Sequence, residues 1–137
     1  MNADIERALE RGGIADITTI GRKTGRPHRI EIFFHNFDGE YYLAGRPGFK
    51  RDWLANLSDH PQFTLHLKRG VEADVPAVAT VIDDRARRHE ILYRARTVSW
   101  GVDPARAKRD MDVWVDTAPL AQFEIEIAPP KIGSLAD

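Results

Sequence analysis

The sequence predicts a mainly β (α+β) fold: an antiparallel barrel of about six strands with short helices packed outside it or over its mouth. Three observations lead there. Six stretches rich in Ile, Val, Thr and aromatic residues read as strands. Most of them are joined by short, Gly-containing turns. Strands and helices do not alternate in the way a parallel βαβ sheet requires. At 137 residues the chain is sized for one domain, expected over 1–127, with a loosely ordered, proline-containing tail over 128–137.

The elements follow in order. Asp4–Arg11 sets Ile5, Ala8 and Leu9 on one helical face, and Gly12-Gly13 stops the helix. Ile14–Ile20 is the first strand, Ile30–Phe37 the second and Glu40–Ala44 the third, with Asp38-Gly39 as a hairpin turn. After the break at Gly45-Arg46-Pro47-Gly48, Phe49–Ser58 reads as a short helix with Trp53, Leu54 and Leu57 on its apolar face. Asp59-His60-Pro61 ends it, because a residue before proline avoids helical geometry. Phe63–Leu67 is a strand, Arg69-Gly70 a turn, and Val71–Ile82 a longer strand whose Pro76 implies an edge or a bulge. Asp83-Asp84 caps a basic helix over Arg85–Thr97. Val98–Asp103 is irregular, Pro104–Val115 is a further helix, and Leu120–Ile127 alternates as the last strand. That makes about four short helices.

Composition removes several function classes. Twenty Lys and Arg stand against 21 Asp and Glu, so bulk charge does not drive nucleic-acid binding and any anion site is a local cluster. Without cysteine there are no disulfides, thiolate nucleophiles or cysteine-held metals. No apolar run is long enough to span a bilayer, and the acidic N-terminus lacks a signal-peptide core, so cytoplasmic residence is expected. His35, His60, His66 and His89 show no metal-ligand spacing, and no nucleophile motif of a hydrolase is present.

The local cluster is Gly21-Arg22-Lys23-Thr24-Gly25-Arg26-Pro27-His28-Arg29, in which five of nine residues are basic or His. It reads either as a solvated turn or as an anion site, since glycines allow close backbone approach and arginine offers forked, charged hydrogen bonds. Gly25-Arg26-Pro27 also matches the core of minor-groove DNA hooks, but those sit in disordered tails and this one is clamped between strands, so no nucleic-acid partner is expected.

Several motifs in one order carry a family resemblance: Thr18–Pro27, then Asp38-Gly39, then Tyr42-Leu43-Ala44-Gly45-Arg46, then Trp53-Leu54-Ala55-Asn56-Leu57 and His60-Pro61. The chain thereby resembles the deazaflavin (coenzyme F-420)-dependent nitroreductases, split β-barrel oxidoreductases related to flavin reductases and pyridoxamine-phosphate oxidases. The likeness is good over roughly 14–68 and looser in the last strand. The tyrosine-rich substrate segment of nitroimidazole-reducing members has no counterpart here.

The resemblance implies hydride transfer from reduced F-420 to a small activated acceptor: a quinone, a nitro compound or an unsaturated carbonyl. It implies a phosphate site at Arg22, Lys23, Thr24, Gly25, Arg26, His28 and Arg29, and a ring site at Ala44, Gly45 and Arg46. Trp53 is a core anchor or a ring contact, and Asn56 lies three residues on, on the same helix face. Lys50 and Arg51 oppose the helix dipole unless an anion lies nearby. No residue need act as a nucleophile; Trp100, Tyr93 and Trp114 are candidates for the substrate side, and Trp100 is either a cap or a filler between helices. FMN in the same fold, or a non-catalytic carrier, are the alternative readings. The partner is a small molecule, and the apolar strand faces leave room for a homodimer.

Overall fold

Alternation of apolar and polar side chains obliges each strand to bury one face, and the six strands do so by closing on one another. The computed structural model describes residues 2–48 and 52–126. Its strands are β1 (Gly13–Ile20), β2 (Pro27–Phe37), β3 (Glu40–Ala44), β4 (Gln62–Leu67), β5 (Ala73–Val81) and β6 (Leu120–Ile125). They form a closed antiparallel barrel in the order β1-β2-β3-β6-β5-β4, with β4 returning to pair with β1. Ile17, Phe34, Leu43, Leu65 and Phe123 fill the interior, all essentially inaccessible to solvent. The Phe123 ring meets Phe34 and Phe63 edge to face at 6.3 and 5.4 Å.

Helices cover the barrel rather than interrupt it. In α1 (Ala3–Arg11) the Asn2 side chain caps Ile5 N at 2.8 Å. Gly12 ends α1 at a positive φ of 68°, and a Cβ there would lie 2.9 Å from the Phe34 carbonyl oxygen. Helix α2 (Asp52–Asp59) packs Trp53 and Leu57 into the barrel core. Between β5 and β6 run α3 (Arg85–Arg94), a π-helical turn (Ala95–Ser99), α4 (Pro104–Arg109) and α5 (Met111–Thr117). With Phe37, Tyr42 and Leu120 they form a second apolar cluster on the outer wall of the barrel. Among the described residues no helix is long and apolar enough to cross a membrane.

The structure departs from the sequence expectations in four places. Strand β2 begins at Pro27, so His28 and Arg29 belong to the strand, paired with Thr19 and Thr18, and not to the turn. Pro76 sits in a closed barrel without an edge. Its carbonyl accepts from Glu126 N on the β6 side, and its nitrogen faces the same side, just beyond the last β5–β6 ladder pair, where no donor is needed. The basic helix loosens after Arg94 into the π turn, closed by Trp100 N to Ala95 O at 3.0 Å. The expected helix over Pro104–Val115 is two helices, broken at Asp110, whose carboxylate is drawn to Arg96 at 2.7 Å. Five α-helices and the π turn are present among the described residues. The expected tail and the end of the last strand lie outside the described residues.

One buried cation ties this helical layer together. Arg88 donates from Nε to Val115 O at 2.7 Å, from Nη1 to Ile82 O at 3.0 Å, and from Nη2 to Ala118 O. Two of these carbonyls lie at the C-terminal end of α5, where the helix dipole favours a positive charge. Burial pushes the Arg88 guanidinium pKa down from its ordinary value, and the carbonyls offset the lost hydration. Replacing Arg88 with Met strands these acceptors and should destabilise the fold by about 2–4 kcal/mol in urea unfolding. A loss under about 1 kcal/mol would mean that the carbonyls are rehydrated or re-paired.

Candidate functional site

The turn between β1 and β2 is held by its own backbone and by one side chain from α2. Gly21 N donates to Arg26 O, and Gly25 N to Gly21 O, both at 2.8 Å. Arg26 N donates to Thr24 Oγ1 at 3.2 Å. Asn56, buried on α2, accepts from Arg22 N at 3.0 Å and donates through Nδ2 to Thr19 Oγ1 at 3.1 Å. Its amide is thus spent on fixing the turn. Gly21 leaves no room for a side chain, since a Cβ would lie 2.7 Å from Thr24 Oγ1 and 2.8 Å from His28 Nε2.

The turn offers donors that no described residue takes up. Among the described residues no acceptor serves the N–H groups of Lys23 and Thr24, and no carboxylate pairs with Arg22, Lys23 or Arg26. A cleft of about 550 Å³ opens beside them, lined by Arg22, Lys23, Thr24, His28, Trp53 and Asn56 among others. Unpaired amides, cations and a glycine-tightened turn are the donor set that a phosphate group needs.

A second cleft, of about 1010 Å³, shares Ile30, Glu31 and Trp53 with the first, so the two run together. Phe33, Ala44 and Gly45 line it from the barrel, and Trp100 and Trp114 line it from the helical layer. Trp100 meets Phe33, His35 and Trp114 at ring distances of 5.8, 5.1 and 6.0 Å. It therefore both fills space under the helices and faces the cleft. Arg46, Arg96 and Arg106 also line it.

Other expected site residues stand elsewhere. Gly25 and Arg26 are in the turn but line neither cleft. Arg29 points to the outer face of the barrel and pairs with Asp16 at 3.0 Å, because its place on β2 sets it beside Thr18 instead of in the loop. Lys68, at 2.7 Å, and Arg29 together hold the Asp16 carboxyl below the usual carboxylate range. Tyr93 is not in the cleft; it packs against the helical cluster and stacks on His89 at 6.3 Å. Lys50 and Arg51 lie outside the described residues. His66 bridges Thr18 Oγ1 and Asp74 Oδ1, each at 2.7 Å, on the outer face and touches neither cleft.

Two site features had no signal in the sequence. Arg96 looks like any basic residue of an amphipathic helix, and only the π turn swings it inward. His35 looks like a polar position of an alternating strand, yet it is 1% exposed beneath Trp100. Its Nδ1 shares a hydrogen bond with Ser99 Oγ at 2.7 Å, and its Nε2 is buried without a partner.

Comparison with known proteins places this geometry. The family model of F420H(2)-dependent quinone reductase matches residues 1–118. The chain belongs to that family. It is an oxidoreductase, and its cofactor is coenzyme F-420, which decides against the FMN and carrier alternatives. No curated protein matches the sequence significantly. Solved structures share the fold. A conserved hypothetical protein, Rv2991, from Mycobacterium tuberculosis has TM-score 0.69 and 19% identity, covering 93% of this chain and 81% of that one. A structure titled F420 reductase has TM-score 0.63 and 15% identity, covering 89% and 93%. A putative pyridoxamine 5'-phosphate oxidase from Listeria innocua has TM-score 0.61 and 13% identity, covering 90% and 91%. The split-barrel fold is common to this group.

His35 supplies a pH test of the packing beneath Trp100. Burial pushes its pKa from 6.5 down to about 4, so the folded protein holds it neutral where the unfolded chain protonates it. Stability should therefore fall as pH drops through that window and level off below it, by about 3 kcal/mol in all. His35→Phe removes this contribution. Unfolding measured at several pH values should give a shallower slope for the variant than for the wild type. Parallel slopes would mean that His35 is solvated in the native state.

Proposed function

We propose that this chain reduces a planar, quinone-like acceptor in the Trp100–Trp114 cleft, with F-420 lying along the joined grooves. The observation that carries the reading is the continuity of an unpaired cationic turn with an aromatic cleft across Trp53. The N–H groups of Lys23 and Thr24, with the Arg22 and Lys23 side chains, would hold the phosphate. Ala44 at the end of β3 and Gly45 just beyond it would give the ring a backbone surface free of large side chains. When bound, the coenzyme supplies a hydride.

The protein's part is positioning and exclusion of water. Trp100 and Trp114 would hold a flat acceptor against the barrel wall and keep solvent from its reacting face. Among the described residues no tyrosine lines either cleft, and His35 lies neutral beneath Trp100. The proton that completes reduction would then come from water at the open rim. Nitro compounds and unsaturated carbonyls are flat enough for the same wall, but family membership favours quinones.

Anaerobic mixing of reduced F-420 with a quinone panel tests this by the return of oxidised-coenzyme absorbance. Replacing Arg22 and Lys23 together with Ala should leave the fold intact, as both are exposed. Coenzyme binding should weaken by about 1.5–3 kcal/mol for each charged hydrogen bond lost. Added salt should weaken the wild type and affect the variant less. Unchanged coenzyme affinity in the double variant would remove the turn from the site.

A further inference from the structure

We propose that Arg96, with Arg106 beside it, forms an anion subsite in the cleft wall, and that the natural acceptor is a planar aromatic compound bearing a carboxylate. The proposal rests on the reading of this cleft as the acceptor site.

Arg96 is 5% exposed and yet lines the cleft. Its Nη1 donates to Ala107 O at 2.8 Å and to Asp110 Oδ1 at 2.7 Å. Its guanidinium lies 4.4 Å over the Trp114 ring. Nε is buried without an acceptor. Nη2 is not among the buried unpaired atoms and makes no hydrogen bond among the described residues. Nη2 therefore carries unspent donors on a side chain that lines the cleft.

Charge points the same way. The carboxylates bordering the cleft are occupied: Asp110 by Arg96, and Glu31 by Lys68 at 2.5 Å. The Arg96 contact holds the Asp110 carboxyl below its usual range, as a charged partner does. Arg106 on α4, exposed, is a second guanidinium lining the same cleft. A neutral quinone leaves these donors unused. A carboxylate on the ring would take Nη2 and Arg106 in charge-assisted hydrogen bonds while the ring lies against Trp100 and Trp114. Fixing Arg96 by Asp110 and Ala107 beforehand keeps the ordering cost of such a contact low.

The chain carries its own reporter. All three of its tryptophans, Trp53, Trp100 and Trp114, line this cleft, so intrinsic fluorescence reads occupancy without coenzyme. The experiment titrates the full chain with a naphthoquinone carboxylate and with the neutral naphthoquinone. The wild type should bind the carboxylate about ten-fold or more tightly, a preference that shrinks with salt. Arg96→Met and Arg106→Gln should each reduce the preference several-fold. If Arg96→Met fails to fold, the exposed Arg106→Gln decides. Equal affinities for the two quinones, or a preference that survives in both variants, overturns the proposal. So does a loss of F-420 affinity in the variants with no change in quinone preference, since the arginines would then serve the coenzyme. Failure of F-420 to bind the wild type would overturn the reductase reading while leaving a measured carboxylate preference standing.

Discussion

Two hydrogen bonds from the buried Asn56 amide hold the cationic turn to helix α2, and the candidate site is built outward from them. Arg22, Lys23 and Arg26 crowd one short segment, so their mutual repulsion favours an open loop. A carboxylate could fix the turn only by cancelling its charge. A neutral amide fixes it through the backbone and leaves the positive potential available. The same helix carries Trp53, which separates and joins the two clefts, so one element sets the turn and the aromatic wall in register.

The helical layer between β5 and β6 solves a different problem. It must stand off the barrel far enough to leave a cleft of about 1010 Å³ and still be rigid. Arg88 and Arg96, both buried, do this by drawing backbone carbonyls from separate elements to one side chain. Both steady α5, which carries Trp114: Arg88 binds the carbonyl end of that helix, and Arg96 stacks on Trp114 itself. The π turn is part of the same arrangement, since it places Arg96 inward and Ser99 over His35. The wall is therefore preorganised by contacts within the helical layer.

Much of this was legible in the sequence. The six strands follow from alternation, and Asp38-Gly39, both at positive φ, marks the β2–β3 hairpin as that dipeptide does elsewhere. The turn glycines and the Trp53–Asn56 spacing pointed to the first cleft. What stayed hidden depends on contacts distant in the chain. Barrel closure through β1 and β4 cannot be read from period alone. Arg29 and Lys68 look equally exposed in sequence, and only the register reveals that both meet Asp16. The break falls at Asp110, whose carboxylate is held by Arg96, fourteen residues away. Trp100 is the preferred substrate contact in the sequence and Tyr93 a further candidate; the π turn between them leaves Trp100 at the cleft and Tyr93 on the helix flank beside His89.

The central claim is that a single groove holds the coenzyme, with its phosphate at the turn and its ring against β3. Amide and indole chemical shifts followed by NMR during titration with F-420 test it most directly. The account predicts shifts concentrated at Lys23, Thr24 and Gly45 and at the three tryptophan indoles. The His66, Asp74 and Thr18 face of the barrel should stay silent. Shifts confined to that outer face, with the turn and the indoles unmoved, would contradict it.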